Sequence, residues 1–264
     1  MIQLYHKKQT EAMILKRRGI MQIKDLMNRK MPEVPQDIKK ALNQPNITMT
    51  EFENKNDILG DEALQQEVGY GFFEDGSALV SMTCPMPGVT AEMINWWMWW
   101  HTQANERYQV WFPGAHFTNT YAKKDATYFE QPTMPAFQPN DQYPKESIGD
   151  MTGTLVIKFK HPEDMGFERK LIEENHFGTI VCGSVGVKNL FMHTEMTHLY
   201  KETEDGLVLI SRFWMGKLLK CKFLRKKIMT EKMVRGMAEH CCIEYRALAE
   251  ILPVLYNEYA NKEV

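Results

Sequence analysis

The end of the chain carries a helical pattern so long that it constrains how everything before it can fold. From Met229, or from Lys220 at the earliest, to about Asn257, apolar residues recur at the spacing of one helix face. Those residues are Met233, Met237, Cys241, Leu248, Leu252 and Leu255. Pro253 falls late in the pattern, where we expect it to bend or weaken the helix. A helix of this length with one apolar face needs other elements, either a sheet or further helices, to cover that face.

Strand patterns before the helix supply such a sheet. Residues 69–73 and 78–83 flank an Asp-Gly turn, which is a hairpin signal. Further strand patterns are residues 153–160, 178–187, 190–200 and 207–214. The order predicts an α+β fold in which a curved antiparallel sheet wraps around the long C-terminal helix, with a ligand cavity between them.

The first 66 residues contain helical patterns and turns but no chemical motif. One pattern runs over residues 12–27, and Pro35 marks the start of a second short helix. We therefore expect a small helical N-terminal region over residues 1–66 and a larger domain over residues 67–264. The N-terminal region is expected to serve packing, dimer contact or the covering of a site.

Composition excludes several classes of protein. A net charge of -2 gives no reason to expect a nucleic-acid partner or a polybasic membrane surface. The five cysteines form no CxxC pair, so a disulfide framework is not expected. The sequence shows no secretory leader pattern and no apolar run long enough for a membrane span, so we expect a cytoplasmic protein.

Residues 96–101 are the most unusual stretch, with four of the six tryptophans in five positions and His101 directly after them. Thr90 is a suitable N-cap for a helix that runs through the tryptophans to about Asn105. Such large aromatics belong in a buried wall. His101 is then either a packed core residue or a group held in an apolar pocket for chemistry.

His240 and Glu244 lie four residues apart on the long helix, so both face one side and can chelate a divalent metal. Alone, this spacing is more often a surface pair, but Cys241, Cys242 and Ile243 beside it are not a solvated face. His101 and Glu130 could complete a set of two histidines and two carboxylates. Such a set fits zinc with a position open for water, or else iron or manganese.

His193 and His198 lie in a strand pattern five residues apart, which predicts opposite faces of the sheet. The one that faces the cavity would be an acid or base, whereas the alternative for either is a structural polar residue. His116, Tyr108, Tyr121 and Tyr128 are pocket residues of lower rank. No nucleophile elbow, phosphate loop or dinucleotide fingerprint is present.

Several of these motifs resemble the family of 2,4-diacetylphloroglucinol hydrolase and phloretin hydrolase, over about residues 68–256. The matching stretches are residues 96–101, 128–130, 192–198, 211–216 and 240–245 continuing to Leu252-Pro253. The resemblance implies a helix-grip, Bet v1-like domain and a homodimer. It also implies hydrolysis of the carbon–carbon bond between an acyl group and a polyhydroxylated aromatic ring, that is, a small aromatic ketone substrate.

The resemblance further implies a zinc ion held by His101, Glu130, His240 and Glu244. It implies a catalytic histidine, His193 or His198. We expect the ring of the substrate to meet a wall of tryptophans, tyrosines and an asparagine, namely Trp97, Trp100, Tyr108, Tyr121 and Asn105.

Two features of the family are not matched around His101. Its members carry a substrate-binding tyrosine about two helical turns before the motif histidine, where this chain has Met93 and Ile94. They also carry an asparagine just after that histidine, where Ala104 and Asn105 stand.

The ligand set suggests a reaction in which water made acidic by the metal attacks the acyl carbonyl. The ring leaves as a carbanion that its ketone tautomer stabilises, and a histidine assists the proton transfer. Two alternatives are a non-catalytic helix-grip protein that binds an aromatic ligand, and an iron-dependent oxygenase on the same ligands. Burial of the four polar groups without a cation would be costly, which favours a metalloenzyme over a binder.

Overall fold

A computed structural model describes residues 23–130 and 139–260. The strands are β1 (Gly69–Phe72), β2 (Ala78–Pro87), β3 (His116–Thr118), β4 (Asp141–Gln142), β5 (Lys145–Ile148), β6 (Met151–Lys160), β7 (Phe177–Val187), β8 (Phe191–Thr203) and β9 (Gly206–Met215). They form an antiparallel sheet in the order β1-β2-β9-β8-β7-β6-β5-β3, and β4 pairs with β6.

Helices surround this sheet, and the longest closes the chain. They are α1 (Ile23–Leu26), α2 (Gln36–Asn43), α3 (Asp57–Gly60), α4 (Glu62–Gln66), α5 (Ala91–Trp100), α6 (Asn105–Gln109), α7 (Ala126–Glu130), α8 (Arg169–Glu174), α9 (Lys222–Ile228) and α10 (Glu231–Tyr259). None of these described helices is long and apolar enough to cross a bilayer.

Helix α10 is the predicted long helix. Thr230 caps it by accepting a hydrogen bond from the Met233 amide, and the helix continues through Pro253 to Tyr259. Its apolar face packs on β2 and on α5. The predicted α+β plan of a large antiparallel sheet with a long C-terminal helix is confirmed.

Alternation along the strands gives the sheet two apolar faces. Val181 of β7 joins the cluster that includes the tryptophans and α10, whereas its neighbours Ile180 and Cys182 join a second cluster on the other face. Residues of α2 pack in the first cluster and those of α3 in the second. The division into a region over residues 1–66 and a domain over residues 67–264 stays a prediction.

The start of α2 after Pro35 and the Thr90 cap of α5 are confirmed, since Thr90 accepts a hydrogen bond from the Met93 amide. Most of the pattern over residues 12–27 lies outside the described residues, which hold only α1.

Two further stretches, residues 108–112 and 128–130, have sequence patterns that favour extended structure, but both are helical. Helix α6 and the turn after it cover residues 108–111 and bury Tyr108 and Trp111 at helical spacing. Residues 128–130 are the end of α7, which buries the adjacent Tyr128 and Phe129. Strand β5 was not predicted at all, because it is short and carries charged side chains.

A β-bulge lies near the start of β8, where it pairs with the end of β7. Thr194 pairs with Val185 and Met192 pairs with Gly186, so His193 is an extra residue between them. Gly186 allows the backbones of β7 and β8 to approach closely at the bulge. A Cβ at this position would lie 2.3 Å from the Phe191 carbonyl oxygen and 2.8 Å from the Met192 Cα.

We expect Gly186→Ala to destabilise the fold by about 1–3 kcal/mol through this backbone clash. The melting temperature should fall by about 2–12 °C for a chain of this size. The matched control is Gly153→Ala on β6, where a Cβ would meet nothing within 4 Å. Equal melting temperatures of the two variants in thermal unfolding would contradict the close approach of the β7 and β8 backbones at Gly186.

Candidate metal centre

A cavity of about 270 Å³ lies between the sheet and α10. Its lining is largely apolar, made of aliphatic side chains, aromatic rings and methionines that include Met233 and Met237 of α10. The histidine, carboxylate, tyrosine and amide side chains that line it are His101, Tyr108, Asn119, Gln142, Glu146, His193, His198, His240, Glu244 and Tyr245.

Four ionisable side chains converge beside this cavity. His116 of β3 and Glu146 of β5 are cross-strand partners, so their side chains project from the same face. The His116 Nε2 atom lies 3.3 Å from Glu146 Oε2 and 3.5 Å from Glu244 Oε1. The His240 Nε2 atom lies 3.9 Å from Glu146 Oε2 and 3.8 Å from Glu244 Oε2.

Aromatic side chains hold this cluster in place. The Tyr108 ring stacks on His116 with centroids 4.2 Å apart, and its hydroxyl donates to Glu146 Oε2 at 2.8 Å. The Trp111 indole Nε1 donates to the Glu244 carbonyl at 3.0 Å. Helix α6 is thereby tied to β5, and the turn after it is tied to α10.

Burial sets the protonation of the cluster. It raises the pKa of Glu146 to about 7, against the lowering effect of the Tyr108 hydrogen bond. Burial and the neighbouring Glu146 charge raise the pKa of Glu244 well above its usual value. Burial lowers the pKa of His240 to about 4, and burial together with His240 lowers the pKa of His116 well below its usual value. Neutral imidazoles therefore face two carboxyl groups, and among the described residues of the cluster no cationic side chain offsets their negative charge.

The donor set fits a divalent cation. Ligand atoms of His116, His240 and Glu244 all lie within 4.8 Å of one another, and Glu146 contacts both imidazoles. The buried His116 Nε2 has no hydrogen-bond partner among the described residues. Two nitrogen and two carboxylate ligands suit zinc, iron or manganese.

The structure brings together only two of the four residues expected to bind metal, His240 and Glu244. Glu130 is exposed at the end of α7. His101 lines the cavity, but its Nδ1 pairs with the Trp97 carbonyl at 2.6 Å and its Nε2 with the Asn119 amide at 3.1 Å. Both imidazole nitrogens of His101 are thus engaged.

Most of the expected ring-binding wall lies elsewhere. Trp97 and Trp100 are fully buried but do not line the cavity, because Trp97 stacks on His101 and Trp100 stacks on Trp96. Tyr121 stacks on Phe129, and Asn105 is exposed at the start of α6. Of the five expected residues, Tyr108 is the one that lines the cavity.

His193 and His198 both line the cavity, so the prediction of opposite faces was wrong. The bulge at His193 breaks the alternation of β8 and turns it toward the side of Thr194 and His198. The Nδ1 of His198 lies 2.8 Å from Ser211 Oγ, and that of His193 lies 2.6 Å from Thr194 Oγ1. Burial lowers the pKa of His198 to about 3 and of His193 to about 4, so both are neutral near pH 7.

His116 ranks low among the residues that the sequence singles out, and Glu146 is not among them. A signal was present, because Gly149-Asp150 is a two-residue turn between β5 and β6. The expected tyrosine and asparagine also stand around His116, with Tyr108 before it and Asn119 after it. The two mismatches around His101 disappear when His116 takes the place of the motif histidine.

Comparison with known proteins agrees with the motifs. The model of a family described as DAPG hydrolase PhiG domain matches residues 49–257. The chain belongs to the DAPG hydrolase family. It is 33% identical over 219 residues to the phloretin hydrolase of Eubacterium ramulus, with 78% of each chain covered. It is 30% identical over 255 residues to the 2,4-diacetylphloroglucinol hydrolase of Pseudomonas protegens, with 88% of this chain and 80% of that one covered.

Among solved structures, a crystal structure of a Rhodobacter sphaeroides protein overlaps 67% of this member of the DAPG hydrolase family and 93% of its own chain. The TM-score is 0.36 at 14% sequence identity. A score this low does not establish a shared fold.

If His116 and Glu146 bind the metal directly, we expect His116→Ala and Glu146→Gln to lower the affinity for a divalent metal by at least about 100-fold. His101→Gln and Glu130→Gln are the matched controls and should keep the metal. Metal analysis of the purified variants checks this. Metal retained in His116→Ala together with metal lost in His101→Gln would restore the original ligand set.

The metal should stabilise the fold more as the pH rises. A carboxyl whose folded-state pKa is raised costs no stability below its unfolded pKa of about 4.3, and the cost grows up to its folded pKa of about 7 for Glu146. A bound cation removes that cost, and fewer protons then compete for the ligands. The difference in melting temperature between zinc-loaded and chelator-treated protein should widen from about pH 5 to about pH 8. If the difference in melting temperature stayed constant or shrank over this pH range, metal binding by the buried carboxyl groups would be contradicted.

Proposed function

We propose that this chain is a zinc-dependent hydrolase that cleaves the carbon–carbon bond between an acyl group and a polyhydroxylated aromatic ring. The observation that supports this most is the cluster of two histidines and two glutamates beside a largely apolar cavity. Membership of a family whose relatives are named phloretin hydrolase and 2,4-diacetylphloroglucinol hydrolase supplies the substrate class.

His116, Glu146, His240 and Glu244 would hold the ion. A bound zinc ion supplies Lewis acidity and lowers the pKa of water, which suits hydration of an acyl carbonyl. The protein contributes a preset ligand geometry, because Tyr108 and Trp111 fix the orientation of Glu146 and the position of Glu244.

We assign the proton-handling role to His198. Cleavage leaves the electron pair of the broken bond on a ring carbon, and that carbon must receive a proton. His198 lines the cavity and packs against Tyr245, the residue after Glu244, with ring centroids 4.8 Å apart. Its Nδ1 is paired with Ser211, so its Nε2 is the nitrogen left to exchange a proton with the ring. His193 lines the same cavity at the bulge and is the second histidine for this role.

The aliphatic and methionine lining would keep other water away from the ring while the bond breaks. Phe213 and Met196 of the sheet and Met233 and Met237 of α10 all line this space. Methionine side chains adapt to ligands of irregular shape. The wall is therefore suited to the apolar parts of an aromatic ketone.

We further propose the helix-grip, Bet v1-like architecture for the sheet and α10, and a homodimer, as the family resemblance implies. A cytoplasmic location agrees with the five cysteines, all of which are free. No nucleic-acid or membrane partner is proposed.

The test is a screen of acylated polyhydroxybenzenes in which release of the carboxylic acid is measured. We expect metal-dependent turnover. The rate should fall by about 1000-fold or more in His240→Ala, whereas Glu130→Gln should remain active. Ligand binding without turnover would support the non-catalytic binder, and a requirement for iron and dioxygen would support an oxygenase. Either result would overturn the proposed hydrolase.

A further inference from the structure

Arg29 lies in the N-terminal region, yet its guanidinium reaches the part of the chain that carries the metal cluster. The residue follows α1 and is half-buried. Its Nη1 donates to the Leu26 carbonyl at 2.9 Å and to the Val110 carbonyl at 2.6 Å. Its Nη2 donates to the Trp111 carbonyl at 2.8 Å. One side chain therefore joins the N-terminal region to the turn after α6.

The two carbonyls in this turn depend on that donor. Helix α6 ends at Gln109, and Pro113 has no amide hydrogen to offer the Val110 carbonyl. Among the turns and loops of the described residues, no backbone amide donates to the Val110 or the Trp111 carbonyl. Carbonyls at the end of a helix need such partners, and a basic side chain can supply them. Arg29 therefore holds the backbone of this turn.

The Trp111 side chain carries the constraint to the metal cluster. Its indole Nε1 donates to the Glu244 carbonyl at 3.0 Å. Its ring meets the His116 ring edge-on, with centroids 5.2 Å apart. The indole thus contacts both segments that bear these ligands, β3 and α10. A shift of the Trp111 backbone would move the indole against one of them.

Arginine suits this task better than lysine. The guanidinium is planar and presents its donors in a fixed fork, whereas the lysine ammonium is a point charge on a flexible stem. Three carbonyls around one fork fix the turn in direction as well as in distance. Groups that orient metal ligands from outside the ligand shell typically change metal affinity by about 10–100-fold when they are removed.

We infer that Arg29 is a positioning residue for the metal centre. It fixes the turn at Val110 and Trp111, and thereby sets the Trp111 indole between His116 and Glu244. This role rests on the metal centre of the proposed function and requires no particular substrate. It gives the N-terminal region a part in the site that packing alone would not.

The test measures the zinc affinity of the full chain by competition with a chelator. Arg29→Met should lower the affinity by about 10–100-fold, and Arg29→Lys should stay at least about 10-fold weaker than the wild type because it lacks the fork. Arg225→Met is the matched control and should keep the wild-type affinity, since Arg225 also donates to a backbone carbonyl but its partners are Leu219 and Asp75. Wild-type affinity in either Arg29 variant would overturn the inference.

The route through Trp111 is tested by a double-mutant cycle. Trp111→Phe keeps an aromatic ring but loses the donor to Glu244. The double variant Arg29→Met/Trp111→Phe should bind zinc about as well as the weaker single variant, because both changes break one connection. If the two losses multiplied, the residues would act independently and the inference would be overturned. If Arg29→Met does not fold, Arg29→Lys takes its place in the cycle.

A spectroscopic measurement separates altered ligand geometry from a loss of overall stability. The visible absorption bands of the cobalt-loaded protein should shift in Arg29→Lys and should stay unchanged in Arg225→Met. An unshifted spectrum in Arg29→Lys would overturn the inference.

These outcomes are distinct from those of the proposed hydrolase. A wild type that binds zinc but hydrolyses no acylated polyhydroxybenzene would overturn the hydrolase and leave the role of Arg29 standing. An active wild type whose zinc affinity does not change on substitution of Arg29 would overturn that role alone. A wild type that binds no divalent metal would overturn both.

Discussion

The structure depends on the meeting of two carboxyl groups and two imidazoles in a buried place. Removing charged carboxylates from water costs free energy unless a cation or protons compensate them. Here a cross-strand pair, His116 and Glu146, faces a helical pair, His240 and Glu244. The sheet and the helix must both be in place before this cluster exists, so the site forms only when the whole domain has folded.

Around this cluster the protein divides its polar groups by task. Tyr108 and Trp111 hold the carboxyl-bearing elements in place. The Asn119 amide joins His101 to Gln142 at the cavity wall. His198 stays neutral through burial and lies within the same space. The tryptophans of α5 support this arrangement from behind rather than touching a ligand, since Trp97 stacks on His101.

The parts that follow from periodicity could be predicted from the sequence, and the rest could not. The long α10 and the helical spacing of His240 and Glu244 are local facts of the chain. Glu146 was missed because β5 has four residues and becomes a strand only through its pairing with β3 and β6. The sequence favours His101 over His116 as a metal ligand because four tryptophans stand directly before His101. The role of His116 depends instead on partners that are distant in the sequence.

The cross-strand pair has a consequence for how the chain folds. β3, β5 and α10 come from distant stretches, so bringing them together costs the closure entropy of long loops. Their contacts are non-local, and contacts of this kind form slowly. An ion that binds all three segments would act as a cross-link, restricting partly unfolded states much as a disulfide does in a protein whose cysteines are all free.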